Sequence, residues 1–314
     1  MFLRSVALVI AMALAMLSNQ AETAAAGKTG ARVVVLVSHN AEPYEDALEG
    51  FRSYFASKGV EVFIEVYQLN GDASGAAQAL EKARKENANL ILALGSLATS
   101  AACGEAVGIP VVAGLIMNVE EIKARSNFAA VLLDFPLEVQ LKWIGKLLPG
   151  CKNLGILYNP ARMTLKVEAA TQIAQGMGVK IIAQKVESPS ELPAALESLS
   201  RKVDALWGLA DDLVYTPQTA KEILLFSFRN KVPLIGISRE WVKAGALCAI
   251  ESDYRDLGAQ CGEKALKALQ SAMSDFYAPE YPRKVVYSIN LKTAQHMKVE
   301  IRDTWIQGAQ QVFR

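Results

Sequence analysis

The chain has 314 residues, a mass of 33.9 kDa and a formal net charge of +1 at pH 7. This length allows about two domains. A nearly neutral chain is not typical of a nucleic-acid-binding protein, so we expect no nucleic-acid partner.

The first 26 residues are predicted to be a secretory signal peptide. Arg4 precedes an uncharged apolar run over residues 5–17, and small residues around Ala24 and Ala26 offer a cleavage site. The run is short for a membrane anchor, which stays the alternative. No cysteine follows the run, so no lipid-attachment motif is visible. We therefore expect an exported protein of the periplasm.

The remaining chain repeats one pattern at an offset of roughly 120 residues. A strand, a polar loop, a helix and a second strand are predicted first from VVVLVSHNAEPYEDALEGFRSYFASKGVEVFIEVY and again from NLGILYNPARMTLKVEAATQIAQGMGVKIIAQKV. A short helix, a third strand, another helix and a Val/Ile-Pro strand follow in each copy. Short apolar strands that alternate with amphipathic helices predict βαβ units on parallel sheets.

The first long helix of each copy is indicated by apolar residues near the 3.6-residue period. These residues are Ala47, Leu48, Phe51, Tyr54 and Phe55 in the first copy and Val167, Ala170, Ile173 and Met177 in the second. Gly59 and Gly178 come after these helices, and glycine takes the left-handed conformation that ends a helix without steric cost. Both halves are therefore predicted to be doubly wound α/β lobes with parallel sheets.

Two such lobes leave a cleft between them. Ligands of open parallel sheets bind beyond the carboxyl ends of the strands. If the two copies are related by approximate two-fold symmetry, both carboxyl edges face the cleft. We therefore expect the turn at residues 95–99 and its counterpart LADDLVYTP to lie there.

Several segments resemble the extracytoplasmic substrate-binding proteins of ABC transporters, in particular the subgroup related to tryptophan- and tyrosine-binding lipoproteins. They are LPGCKNLGILYNPAR, KVDALWGLADDLVYTPQ, KVPLIGISREWVKAGALCAIESDYRDLGAQCGEKALKAL and YSINLKTAQHM. The combination LYNP…DYRDLG is fairly specific to that subgroup, whereas the LG-small-Thr loop occurs in many α/β proteins. The resemblance implies the type I periplasmic-binding fold, whose lobes close on a small molecule and deliver it to a membrane permease.

The resemblance also implies three crossovers between the lobes, near residues 134–137, 251–253 and 279–283. A helix over Tyr254–Leu269 would return to the N-terminal lobe, and a strand over residues 284–289 would return to the C-terminal lobe. The tail that follows could complete the fold or contact a partner. The predicted boundaries are 1–26 for the signal peptide, 31–135 with 253–278 for the N-terminal lobe, 136–252 with 282–290 for the C-terminal lobe, and 291–314 for the tail.

The sequence departs from the family pattern at three places that the resemblance puts near the ligand. The first turn reads SLAT where Thr or Pro is common, and ARM follows YNP where small polar residues are usual. REW stands before VKAGAL, where Ser and Thr are common. These side chains predict a bulkier and more charged pocket, so an aromatic amino acid is not simply carried over as the ligand. The family's lipid-anchor cysteine is also missing.

The two turns at the strand ends suggest opposite charges for the ligand. Around Gly95, Ser96 and Thr99, unpaired N–H groups at a helix N-terminus favour a carboxylate or phosphate, although Ser96 could be a plain N-cap. Asp211 and Asp212 could accept an ammonium group, although helix capping is the alternative. Together the turns predict the polarity of an amino acid zwitterion.

The remaining candidates for ligand binding lie in loops at the same edges. The loop residues could orient a ligand by hydrogen bonds, with Arg162 as a clamp for a second carboxylate, or could serve only turn formation and solvation. A tryptophan could stack on the ligand or belong to the core, and the polar residues at a crossover could orient the ligand or stabilise the hinge. These candidates are Ser38, His39, Asn40, Tyr44, Asn159, Arg162, Thr164, Arg239, Trp241, Asp253 and Tyr254.

The sequence does not favour catalysis, and the one alternative is a paired-carboxylate mechanism from Asp211 and Asp212, although adjacent residues rarely converge on one bond. Only two histidines occur, His39 and His296, and no G-x-S-x-G elbow, P-loop or G-x-G-x-x-G after a strand is found. The cysteines Cys103, Cys151, Cys248 and Cys261 lack metal-binding spacing, and we expect buried thiols, although export would permit a disulfide. We expect no enzyme, no metal and no cofactor.

The sequence therefore predicts a monomeric extracytoplasmic solute-binding protein. Its ligand would be a small polar molecule, an amino acid or related carboxylate, and its partner the permease and ATPase of an ABC transporter. The alternative is the ligand-binding component of a periplasmic sensor, which would use the same two-lobed clamp.

Overall fold

The structure is a computed structural model, and it describes residues 30–105, 108–117, 122, 127–270 and 279–314. The predicted signal peptide lies outside the described residues. Two sheets, each covered by helices on both faces, form two lobes. None of the described helices is both long and apolar enough to cross a bilayer.

The first lobe is built on a parallel sheet of five strands in the order β2-β1-β3-β4-β5. Alternate side chains of the central strands pack against helices on opposite faces, so these strands read as unbroken apolar runs. The strands are β1 (Ala31–Val37), β2 (Val62–Gln68), β3 (Leu90–Leu94), β4 (Val111–Ile116) and β5 (Phe128–Leu132), and the helices between them are α1 (Glu42–Ser57), α2 (Ala76–Lys85) and α3 (Ser96–Glu105).

The second lobe is built on a sheet of seven strands in the order β12-β11-β10-β9-β8-β6-β7. Strands β6 to β10 are parallel, and β11 and β12 run parallel to each other but antiparallel to the rest. They are β6 (Asn153–Tyr158), β7 (Lys180–Lys185), β8 (Ala205–Trp207), β9 (Leu234–Gly236), β10 (Cys248–Ser252), β11 (Val285–Asn290) and β12 (Gln311–Phe313). The helices of this part of the chain are α4 (Leu137–Leu147), α5 (Pro160–Gly176), α6 (Leu192–Leu199), α7 (Pro217–Asn230) and α8 (Arg239–Ala244).

The predicted helix stops are confirmed. Gly59 has a φ of 63° two residues after α1 ends, and Gly178 has a φ of 75° two residues after α5 ends. Since this left-handed region is easily reached by glycine alone, both long helices end where the sequence indicates.

After β10 the chain returns to the first lobe as α9, whose bounds of Tyr254–Leu269 match the predicted helix. The helix packs against α1 so closely that a methyl group at Gly258 would lie 1.9 Å from the carbonyl oxygen of Ala47. A methyl group at Gly50 would lie at the same distance from the carbonyl oxygen of Arg255. Two glycines that face each other's helix thus allow the backbones to touch, and they anchor the returning segment.

The chain passes between the lobes three times. The first passage leads from β5 to α4, and the second leads from β10 to α9. The third includes Glu280, which pairs with Val131 of the first lobe before the chain enters β11. This passage is held to α9 by ion pairs from Lys264 to Glu280 at 2.9 Å and from Arg283 to Asp256 at 3.0 Å.

The C-terminal segment, predicted as a separate tail, is part of the second lobe. It forms α10 (Leu291–Met297), α11 (Asp303–Gly308) and β12, which extends the sheet beside β11. Trp305 contacts Tyr287 and Trp143 edge-on, with ring centroids 5.5 and 5.7 Å away. Of the two alternatives for the tail, completion of the fold is the one observed.

Candidate ligand-binding cleft

A cleft of about 1130 Å³ separates the lobes at the carboxyl ends of the strands. Each lobe contributes residues that directly follow its strands or begin its helices, as expected for open parallel sheets. The lining residues are Ser96, Ser100 and Met117 from the first lobe and Arg162, Met163, Leu165, Lys166, Ala210, Asp211, Asp212 and Ile237 from the second.

The first-lobe turn is tightly packed around Gly95. This residue has a φ of 90°, and a methyl group on it would lie 2.6 Å from the Ser38 hydroxyl and 2.8 Å from the Tyr44 ring. The Ser38 hydroxyl donates to the Leu94 carbonyl at 2.8 Å and accepts from the Ala98 amide at 3.0 Å. Ser38 is therefore buried and satisfies the N-terminus of α3, which corrects the expectation that it faces the cleft.

The other candidates of the first lobe divide between cleft and surroundings. Ser96 lines the cleft, whereas Thr99 on the same helix is fully buried. His39 and Asn40 are exposed and do not line the cleft, and the His39 ring lies edge-on to Tyr44 at 5.8 Å. For these two side chains, contact with a ligand stays a prediction.

At the start of α5, two of the three candidates serve the helix itself. The Asn159 side chain accepts from the Ala161 amide at 3.0 Å, and the Thr164 hydroxyl donates to the Pro160 carbonyl at 2.7 Å. The alternative of turn chemistry is therefore observed for Asn159. Arg162 lines the cleft, where it forms an exposed ion pair with Asp212.

Asp211 and Asp212 have opposite environments. The carboxylate of Asp211 is 7% exposed and accepts three backbone N–H groups, from Asn159 at 2.8 Å, Leu213 at 2.9 Å and Val214 at 3.1 Å. It therefore ties the loop after β8 to the loop after β6. Neither aspartate caps α7, because Thr216 forms the capping box of that helix.

Arg239 and Trp241 do not line the cleft, and each contacts a different part of the protein. The Arg239 guanidinium reaches the first lobe, where its two terminal nitrogens lie 3.2 and 3.4 Å from the carboxylate oxygens of Glu42. Trp241 packs edge-on against the buried Tyr215 at 5.5 Å. Arg239 thus links the lobes, and for Trp241 the alternative of a core residue is the one observed.

Asp253 lies at the hinge and not on the cleft surface. Its carboxylate caps α9 by accepting from the Asp256 amide at 3.0 Å and contacts the Lys284 ammonium at 2.6 Å. Burial alone would raise the pKa of the Asp253 carboxyl, but the hydrogen bond from Lys284 holds this pKa below its usual value. The hinge-stabilising alternative accounts for both contacts.

Several residues that line the cleft were not predicted from the sequence. Ser100 and Lys166 lie one helical turn after Ser96 and Arg162, so the period of the helix was an available signal for both. The Lys166 ammonium contacts Asp134 at the first crossover at 2.6 Å. No local pattern distinguished Asp134, because its partner belongs to the other lobe.

The chain matches the family of ABC transporter substrate binding proteins over residues 31–313. It belongs to this family. The chain is similar to the tyrosine-binding protein of Clostridioides difficile strain R20291. The two are 24% identical over 241 residues, which cover 72% of this chain and 69% of the relative.

Two solved structures share the fold of this protein. A ligand-free, open substrate-binding protein with adhesive properties from Clostridium difficile matches with a TM-score of 0.78 and 18% identity, over 90% of this chain and 99% of the other. The ABC domain of Streptococcus pneumoniae in complex with L-Trp matches with a TM-score of 0.66 and 21% identity, over 91% and 100%. The predicted type I periplasmic-binding fold is confirmed.

The cysteines of this substrate-binding protein are only in part the buried thiols that were predicted. Cys248 and Cys261 are buried, and burial raises the pKa of each thiol to about 12. Cys103 and Cys151 are partly exposed. Within the described part of the chain, no three His, Cys, Asp or Glu side chains are grouped so that they could hold a metal ion.

Proposed function

We propose that this substrate-binding protein captures an amino acid or related small carboxylate in the cleft and delivers it to the permease and ATPase of an ABC transporter. The observation that carries the proposal is the cleft itself, which is bounded by the carboxyl ends of both sheets. Its volume exceeds the needs of an amino acid, so the lobes have room to approach each other around a ligand.

The hydrogen-bond donors that line the cleft suit a ligand with a carboxylate. Arg162 and Lys166 lie one turn apart on α5, and Ser96 and Ser100 lie one turn apart at the N-terminus of α3 in the other lobe. Helix N-termini, hydroxyls and cationic side chains are all donors to an anion. The names of two relatives, a tyrosine-binding protein and a complex with L-Trp, support an amino acid as the ligand.

The proposed cycle is a shift between open and closed forms. Ligand contacts that both lobes make at once stabilise the closed form, so the ligand shifts the population toward closure. A handful of polar contacts, each contributing about 0.5–1.5 kcal/mol, gives binding in the micromolar range, around −8 kcal/mol. The proposed site of action is the periplasm, with support from the family and from the predicted signal peptide.

The test is a thermal-shift screen of the protein without residues 1–26 against amino acids, small carboxylates and short peptides. Compounds that stabilise the protein are then measured by calorimetry and by X-ray scattering. We expect micromolar binding and a smaller radius of gyration with saturating ligand. Lys166→Gln should weaken carboxylate binding about tenfold, whereas Lys185→Gln, on the exposed end of β7, should not. An unchanged radius of gyration would contradict closure.

A further inference from the structure

A second cavity, of about 250 Å³, lies at the floor of the cleft beside the crossovers. Residues of both lobes line it, and three of them also line the larger cleft, so the two spaces are adjoining. These shared residues are Met117, Ala210 and Ile237. The cavity is large enough for an organic group and not only for a single water, whose share of liquid volume is about 30 Å³.

Acidic side chains line both spaces, and most of them already have a partner. Asp134 contacts the ammonium of Lys166, and Asp212 contacts Arg162. Asp211 accepts three backbone N–H groups. None of these three carboxylates needs a ligand to balance it.

Glu251 of β10 is different. It lines the floor cavity and is only 8% exposed. Among the described residues, no lysine, arginine or histidine lies within salt-bridge distance of its carboxylate. Its hydrogen-bond partner is the Tyr254 hydroxyl at 3.2 Å. The charge of Arg239 acts on Glu251 without forming an ion pair with it, because the guanidinium is paired with Glu42.

A carboxylate that is buried without an ion-pair partner is unfavourable. Burial raises the pKa of the Glu251 carboxyl, and the charge of Glu240 on α8 raises it further. The backbone and the charge of Arg239 on α8, together with the Tyr254 hydroxyl on α9, act in the opposite direction. Asp134, which lines the cavity at the first crossover, is paired with Lys166.

We propose that Glu251 accepts the protonated amino group of the ligand and so makes the cleft selective for amino acids over acids of the same shape. This inference rests on the proposed function. An ammonium group in the floor cavity supplies the ion-pair partner that Glu251 lacks, through a charge-assisted hydrogen bond. An acid without the amino group leaves Glu251 buried and unpaired, which makes its affinity about 10- to 100-fold lower.

The proposal moves the ammonium site away from the position that the sequence suggested. Asp211 and Asp212 were the expected acceptors, but the first is occupied by backbone donors and the second is paired and exposed. The ligand's carboxylate is then left to Arg162, Lys166 and the N-terminus of α3 in the larger cleft.

The test compares amino acids with their amine-free analogues by calorimetry on the protein without residues 1–26. The pairs are L-tyrosine with phloretic acid, L-tryptophan with indolepropionic acid, L-leucine with isocaproic acid and L-glutamate with glutaric acid. We expect an amino acid to bind at least about tenfold more tightly than its analogue. Glu251→Gln should remove this preference, and Glu240→Gln, which removes an exposed carboxylate nearby, should keep it.

The outcomes separate this inference from the proposed function. If Glu251→Gln binds an amino acid as tightly as the wild type does, the inference fails and the proposed function stands. If only the amine-free acids bind, Glu251 is not the acceptor of an amine and the protein is a carboxylate receptor. If no compound of the panel or of the wider screen binds or compacts the protein, the proposed function fails first.

A second measurement covers the case in which Glu251→Gln folds poorly. Wild-type affinity for the amino acid should fall as the pH is lowered from about 7.5 to about 5, because protonation of Glu251 removes the acceptor charge. The affinity for the amine-free acid should not fall in the same range. Parallel pH profiles for the amino acid and its analogue would overturn the inference.

Discussion

Asp211 and Asp212 are neighbours whose replacement by alanine should have very different effects. Asp211 holds three backbone N–H groups of two loops, whereas Asp212 forms an ion pair with Arg162 in which the side chains are 67% and 68% exposed. We expect Asp211→Ala to destabilise the second lobe strongly and Asp212→Ala to leave it nearly unchanged. The physical reason is that only Asp211→Ala leaves buried backbone N–H groups without an acceptor.

The magnitude follows from the hydrogen bonds. A bond to a charged group contributes about 1.5–3 kcal/mol, and three such bonds on one carboxylate are not additive. We therefore expect Asp211→Ala to lower the free energy of unfolding by about 3–5 kcal/mol. An exposed ion pair contributes about 0–1 kcal/mol, which bounds the effect of Asp212→Ala.

The assay is urea unfolding followed by tryptophan fluorescence, which reports on the second lobe alone because all four tryptophans lie there. With a slope of about 2 kcal/mol per M, Asp211→Ala should shift the midpoint by about 1.5–2.5 M and Asp212→Ala by less than about 0.5 M. Equal shifts for the two variants would refute the structural role of Asp211. The tryptophans are Trp143, Trp207, Trp241 and Trp305.

Three further changes test the hinge and the packing. Glu42→Gln removes the ion pair between the lobes and should change the equilibrium constant between open and closed forms by a factor of up to about five. Spin-label measurements should show this change as a wider distribution of distances between the lobes. Asp46→Asn, which breaks an ion pair within the first lobe, should leave the distribution unchanged. Gly258→Ala should lower the melting temperature, because the added methyl meets backbone, while Gly145→Ala should raise or maintain it. In the ligand-free protein the pKa of Glu251 is raised, so the free energy of unfolding should fall as the pH rises from the ordinary pKa of a glutamate to the raised pKa of Glu251. Urea titrations at several pH values should show this fall in the wild type and not in Glu251→Gln.

The candidate site shows where sequence patterns stop being informative. Ser38 and Asp211 were correctly expected at strand ends, yet both are satisfied by backbone donors that lie far away in the sequence, from Ala98 and Asn159. A pattern of neighbouring residues cannot reveal such donors. For the same reason Glu251, which has no unusual neighbours in the sequence, was not singled out.

The sequence by itself determined the two α/β lobes, the ends of their long helices and the edge of the sheets at which a cleft forms. These features depend on apolar periodicity and on glycine conformation, which are local properties. Only the tertiary structure decided which polar side chains at that edge are already satisfied and which buried carboxylate has no ion-pair partner. Burial and pairing depend on contacts between distant segments, and those contacts exist only after the lobes have folded and met.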